Sequence, residues 1–124
     1  MRCLILGATG LIGSHLIEAA DDRRFARLGT WYRWPHADHT PLDVRDVDAV
    51  NELLADYQPD VTFLAAGFSC PAHAEAFPDE CRQVTVDGAA TVAAAVARHG
   101  GTLVLFTSDE VFGEGLSSRR EDDE

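Results

Sequence analysis

Lysine is absent from this sequence of 124 residues. All 10 basic residues are arginine, set against 21 acidic ones, and the formal net charge is -11. Chemistry that needs a lysine amine, as a nucleophile or to tune a neighbouring group, is therefore excluded from this chain. So acidic a surface repels phosphate backbones and anionic lipid, and neither nucleic acid nor a membrane is expected as a partner. Cysteine is scarce: Cys3, Cys70 and Cys81 are irregularly spaced and form no CxxC pair. A disulfide framework or zinc site is not expected, and reduced thiols suit a cytoplasmic protein. Long apolar runs are lacking too. The opening MRCLILGATG reaches glycine too early for a signal-peptide core or a membrane span.

What is present reads as one globular domain, with 46% hydrophobic and 25% charged residues. Short apolar runs alternate with longer amphipathic ones, the pattern of an α/β fold in which helices cross over a parallel sheet. Strands are expected over Arg2 to Leu6, Leu28 to Arg33, Val61 to Ala65 and Thr102 to Thr107. Helices are expected over Leu11 to Ala20, from a cap at Asp46 to the exit at Pro59, and over Gln83 to Arg98, closed by Gly100 and Gly101. The expected architecture is a Rossmann-type doubly wound sheet of four strands in the order 3-2-1-4. Residues 1–112 form this domain, and the charged stretch 113–124 is expected to be a mobile acidic tail.

The strongest motif is Gly7-Ala8-Thr9-Gly10-Leu11-Ile12-Gly13, set between an apolar strand and a periodic helix. Glycine at 7 and 10 allows a tight turn and close approach of a ligand, and Gly13 lets helix and strand pack closely. The free amides of the first helical turn, with the positive end of the helix dipole, would face a pyrophosphate. The plainer alternative is a tight turn without a ligand. Dinucleotide sites of this kind place an acid at the end of the second strand to hold the adenosine ribose. Here residues 28–37, LGTWYRWPHA, contain no carboxylate, and Arg33 follows the strand. A guanidinium there suits a 2'-phosphate, which favours NADP while leaving NAD possible. A solvated strand-end arginine is the alternative.

With these residues in view, the chain resembles the extended short-chain dehydrogenase/reductase family, in particular its dTDP-4-dehydrorhamnose reductase branch and the sugar-nucleotide epimerases and dehydratases related to it. GATGLIGSHL resembles the family's cofactor turn, and Leu42-Asp43-Val44-Arg45-Asp46 its LDxxD segment. The stretch from Pro59 to Gly67 is similar to the strand that ends beside the nicotinamide, and that from Leu103 to Gly113 to the strand and turn written STDYVF. The match runs through nearly the whole chain but covers only about the N-terminal half of a family member. It implies cofactor contacts from Gly7, Thr9, Gly10, Leu11, Ile12, Gly13, Arg33, Asp43, Val44, Ala65, Ala66, Gly67 and Thr107, with Asp43 and Val44 against the adenine. It also implies that Ser108 is the catalytic hydroxyl. Read without the family, Asp43 could equally cap or solvate a loop, and Ser108 could close a strand-end turn.

Departures from the family pattern are as informative. Where the family has VNVxG, this chain has Val84-Thr85-Val86-Asp87-Gly88, and Ala72 and His73 replace an Asp-Lys pair in the segment after the third strand. The YxxxK pair that transfers the proton is absent, since the only tyrosines are Tyr32 and Tyr57 and there is no lysine. His36 and His39, with Asp38 and Asp43 nearby, match no metal-ligand spacing, so no metal is expected. Cys70, His73 and Cys81 read as ordinary loop or buried groups rather than a nucleophile with its base. The expected function is the NAD(P)-binding part of a nucleotide-sugar oxidoreductase that reduces a sugar carbonyl in complete relatives. The alternative is a non-catalytic dinucleotide-binding or regulatory module. The apolar strand from Thr102 lies at an expected sheet edge, beside a small-residue helix face on which relatives dimerise. Self-association as a homo-oligomer is therefore expected.

Overall fold

The computed structural model describes residues 1–68 and 70–108. The expectation of a mobile tail over 113–124 falls outside them. Strand β1 (Arg2–Leu6) lies at the centre of a parallel sheet, hydrogen-bonded to β2 (Ala26–Trp31) on one side and to β4 (Val61–Leu64) on the other. A two-residue strand, β3 (Thr40–Pro41), extends the sheet beyond β2, and β5 (Thr102–Leu105) extends it beyond β4, giving the order β3-β2-β1-β4-β5. The doubly wound order 3-2-1-4 is present, and it continues to a fifth strand. Thr40–Pro41 takes third place, so Val61–Leu64, expected as the third strand and hence beside β2, pairs instead with β1 as the fourth, and Thr102–Leu105, expected beside β1, is the fifth. Two residues in a polar loop carry no periodicity, which is why β3 left no trace in the sequence pattern.

Alternation along β1 divides the core. Leu4 and Leu6 face α2 (Val47–Tyr57) and α5 (Gly88–His99), packing with Val50, Leu54, Val92 and Val96. Cys3 and Ile5 face the opposite layer, where Ile17 of α1 (Leu11–Asp22) covers them with Ala8. A central parallel strand covered on both faces must be apolar throughout, and Cys3 to Leu6 are all buried.

The second strand begins and ends two residues earlier than expected. Its register with β1 runs from Arg2 opposite Ala26 to Ile5 opposite Gly29, and Leu42 N donates to Trp31 O at 2.8 Å, so Tyr32 and Arg33 leave the sheet at its carboxyl edge. Asp46 caps α2 as expected, accepting from Ala49 N at 3.0 Å, and Gln58 ends that helix in a left-handed conformation before Pro59. The connection after β4, where no element is expected, holds two short helices, α3 (Pro71–Ala76) and α4 (Pro78–Arg82). Pro71 and Pro78 each stand in the first helical turn, where a missing N–H costs nothing. The helix expected from Gln83 opens with a wide π turn over Gln83–Asp87 before α5 begins. Gly88 sits at that junction because a Cβ there would lie 2.8 Å from Val44 Cγ2.

Candidate functional site

The carboxyl ends of β1, β2 and β4 open onto a cleft of about 350 Å³, a volume typical of small-molecule sites. Its floor is the first part of the glycine turn, through Gly7, Thr9 and Gly10. Gly7 has φ +86°, and a Cβ there would lie 2.7 Å from Ala66 N and 2.9 Å from Ala65 C. A Cβ on Gly13 would lie 2.1 Å from Gly7 O. Only glycine lets the turn lie this close to both the end of β4 and the start of α1. Thr30 fixes the turn from β2: its hydroxyl accepts from Gly7 N at 3.2 Å and its carbonyl from Ala8 N at 2.8 Å.

Gly10 is the N-cap of α1, has no side chain to cap it, and is followed by a first turn without acidic residues. The helix therefore presents its amino end, with its partial positive charge, to whatever occupies the cleft. Leu11 and Ile12 of that turn are 80% and 46% exposed, although both are large and apolar. Across the cleft, Ala65 and Ala66 leave a low wall, and a Cβ built on Gly67 would meet nothing within 4 Å. That open space suits a flat ring lying along the end of β4. An extended anion-bearing ligand with an aromatic end therefore fits the residues present.

Side chains build the other end. Asp43 Oδ1 accepts from the backbone and Nε of Arg45 at 3.0 and 2.9 Å, and Asp43 Oδ2 accepts from Arg45 Nη2 at 2.7 Å. Hydrogen bonds from Arg45 hold the Asp43 carboxyl below its ordinary range, outweighing partial burial, and Asp43 in turn raises the guanidinium. Arg45 also donates to the Tyr32 hydroxyl at 2.7 Å and lies 5.4 Å from that ring's centroid. Arg33 stands over the Phe68 ring, 5.6 Å from its centroid, and is ion-paired to Glu80 of α4.

Of the residues singled out in the sequence, Gly7, Thr9, Gly10, Arg33, Asp43, Val44, Ala65, Ala66 and Gly67 line this one cleft. Leu11, Ile12, Gly13, Thr107 and Ser108 are not part of its lining. Gly13 packs behind the turn. Thr107 and Ser108 are exposed and follow β5, whose Leu105 pairs with Leu64, so they stand at the same sheet edge as Ala65. Sequence reading missed Trp31, Tyr32, Trp34, Phe68, Glu80 and Val84 of the lining. The aromatic run in LGTWYRWP was the one available signal. Glu80 left none, being distant in sequence and on a short helix.

Cys70 and His73 both belong to the cleft lining, linked by main chain rather than through thiol and imidazole. Cys70 is the N-cap of α3, His73 N donates to its carbonyl at 3.1 Å, and both residues line the cleft. The His73 ring lies between Phe68 and Phe77, with centroids 5.0 and 4.9 Å away, and its Nε2 is buried without a partner. A ligand atom in the cleft could supply that hydrogen bond. Cys81 lies instead beside the Thr85 hydroxyl at 3.9 Å. His36 and His39 stack on one another with centroids 4.3 Å apart, and His39 closes over Gly29, where a Cβ would lie 2.6 Å from its Nδ1. Packing accounts for that pair.

A family model described as the NAD dependent epimerase/dehydratase family matches residues 3–124. Among curated proteins, the chain is 30% identical over 122 residues to methionine adenosyltransferase 2 subunit beta of Bos taurus, covering 98% of this chain and 36% of that protein. It is 31% identical to dTDP-4-dehydrorhamnose reductase of Streptomyces griseus, covering 98% of this chain and 38% of that one. The chain thus spans a little over a third of the length of these relatives. Among solved structures, a hypothetical dTDP-4-dehydrorhamnose reductase from Sulfolobus tokodaii superposes with a TM-score of 0.90 at 21% identity, over 99% of this chain and 45% of that one. The reductase of Bacillus anthracis in complex with NADP superposes with a TM-score of 0.69 at 22% identity, over 82% of this chain and 34% of that one. UDP-glucose 4-epimerase of Thermus thermophilus in complex with NAD gives 0.81 at 22%, over 98% and 42%.

Proposed function

The chain belongs to the NAD dependent epimerase/dehydratase family, and from that premise we propose that it is the NAD(P)-binding part of an oxidoreductase acting on a nucleotide-sugar. The observation that carries this reading is the convergence on one cleft of the glycine turn, the Asp43–Val44 segment and the Ala65–Gly67 wall. The amino end of α1 binds the pyrophosphate, the end of β4 carries the nicotinamide, and the β2 exit holds the adenosine half. A nicotinamide held there by Ala65, Ala66 and Gly67 would supply hydride-transfer chemistry toward a sugar carbonyl carbon. Ser108, at the same sheet edge, orients the carbonyl oxygen. Proton supply is a different matter, because Tyr32 is engaged by Arg45 and Tyr57 lies at the end of α2, with its hydroxyl buried and unpaired and its ionisation pushed up by burial.

Calorimetry with NADP and NAD tests the reading. One-to-one binding of either supports it, and binding of neither at millimolar concentration sinks it. The Bos taurus relative is named as a subunit of another enzyme, which favours a second reading, a dinucleotide-binding regulatory module. NADPH oxidation with a panel of 4-keto sugar nucleotides separates the two. The chain carries no tyrosine–lysine pair, and a positioned proton donor contributes roughly 10²- to 10⁴-fold. We expect turnover well below about 1 per second, the low end of ordinary enzymes. Faster turnover that falls in Ser108→Ala would establish catalysis by this chain.

The finer expectations on partners and location stand with this reading. No helix among the described residues is long and apolar enough to cross a membrane, and free thiols suit the cytoplasm. Edge strand β5, with Leu105 56% and Phe106 39% exposed, supports self-association. A monomer at high concentration in sedimentation would count against that.

A further inference from the structure

The adenosine end of the cleft lacks a carboxylate in the strand that would ordinarily supply one, since residues 28–37 contain none. A carboxylate is there nonetheless. Glu80, from α4, lines the same cleft as Arg33 and forms an ion pair with it. The pair is only partly solvent-screened, with side-chain exposures of 44% for Arg33 and 30% for Glu80, and the Phe68 ring backs the guanidinium.

We propose that Glu80 is a specificity-determining residue for the dinucleotide, acting as the acid missing from β2. This rests on the dinucleotide reading of the cleft. With Glu80 in place, the Arg33 guanidinium is already neutralised, so a 2'-phosphate must displace a carboxylate to reach it. An anion entering beside Glu80 also meets a like charge. A ribose bearing free hydroxyls meets neither obstacle, because hydroxyls donate to a carboxylate and leave the ion pair intact. Arg33 alone would make the site select NADP. The pair draws that preference back toward NAD and lets the cleft take both cofactors.

Both residues are partly exposed, and neither belongs to the core, so their variants retain the fold. The experiment measures Kd for NADP and for NAD with the wild-type chain, Glu80→Gln, Arg33→Ala and the double variant. Wild type should discriminate weakly. Glu80→Gln should shift the ratio of affinities roughly tenfold toward NADP, the size of one charge-assisted contact. Arg33→Ala should shift it toward NAD, and in the Arg33→Ala background Glu80→Gln should give a smaller shift toward NADP than in the wild type, because only the like charge is then relieved. Glu80→Gln that binds both cofactors with an unchanged ratio overturns the proposal while leaving the dinucleotide reading intact. A shift toward NADP that is undiminished without Arg33 overturns the pairing mechanism. If no variant binds either cofactor, the reading of the cleft falls, and the proposal with it.

Discussion

At the Gly7–Gly13 turn the cleft wall is main chain, held by contacts so close that two positions exclude a Cβ, and its polar groups are left for a ligand. At the β2 exit the wall is side chain, and its charges are satisfied before any ligand arrives: Asp43 by Arg45, Arg33 by Glu80. The helices repeat the contrast, α1 starting without a side-chain cap and α2 starting under Asp46. Where the backbone forms the site, the sequence must carry glycine at fixed positions, and binding tolerates little change. Where side chains form it, the sequence is free to vary, and affinity depends on exchanging one set of partners for another.

The largest effect expected from this comparison is at the turn. Gly7→Ala forces a side chain at φ +86° into the Ala65–Ala66 backbone, and Gly13→Ala meets Gly7 O. Each should destabilise the fold by about 2–4 kcal/mol, from backbone strain and overpacking, and urea unfolding of the two variants reads this directly. Wild-type stability in either would show that the turn is less closely packed than described.

Gly10→Asp sharpens the contrast, because Gly10 has extended N-cap geometry and a Cβ there meets only Gly7 O, at 3.4 Å. An aspartate would give α1 the cap that α2 already has, so stability should hold or rise by a few tenths of a kcal/mol. The same carboxylate occupies the amides that a pyrophosphate needs and repels it. Cofactor affinity should therefore fall on the order of 100-fold, as two charge-assisted contacts are lost. Unaltered affinity would remove the helix terminus from the site.

At the side-chain end, Asp43→Asn should cost only about 1 kcal/mol, as expected for a partly exposed ion pair with good geometry. Its pH dependence is diagnostic. The folded chain holds the Asp43 carboxyl below its ordinary value, so the stabilisation is complete above about pH 4, where an unfolded aspartate ionises. It disappears as pH falls through the lower folded value. Denaturation midpoints of wild type and Asp43→Asn should differ at neutral pH and converge in acid. Smaller still is a difference among thiols: Cys70 is exposed on the cleft, whereas Cys3 is buried with its ionisation pushed up by burial. Mass spectrometry after thiol labelling should find Cys70 modified first, more slowly with NADP present, and Cys3 only on unfolding. Labelling of Cys70 indifferent to NADP would place the ligand elsewhere.

The same division decides what could be read from the sequence. Gly7, Gly10 and Gly13 stand within one short segment, where spacing reports geometry, and α2 announced itself through Asp46 and the apolar positions Val50 and Leu54. Strand β4 followed from a continuous apolar run, and the Ala65–Gly67 wall from the resemblance of that stretch to the family's strand beside the nicotinamide. The β2 exit was only partly legible. Arg33 was visible as a cation where an acid is customary, but its partner Glu80 arrives from α4, a helix of 5 residues, too short for periodicity to mark. Arg45 read as one residue of an LDxxD segment, and nothing in its spacing tells that its guanidinium would occupy Asp43. The place of Cys70 and His73 in the cleft lining was hidden for the same reason, since α3 is a helix of 6 residues, too short for periodicity to mark.

The central claim is that backbone amides of the glycine turn hold a dinucleotide, and the most direct measurement is an amide ¹H–¹⁵N NMR titration of the chain with NADP. Saturable shifts are expected at Thr9, Leu11, Ile12 and Gly13, with a second group at Ala66 and Gly67, and the turn shifts should vanish in Gly10→Asp at the same ligand concentration. Shifts confined to exposed arginines elsewhere, or a titration that leaves the turn amides unmoved, would contradict it.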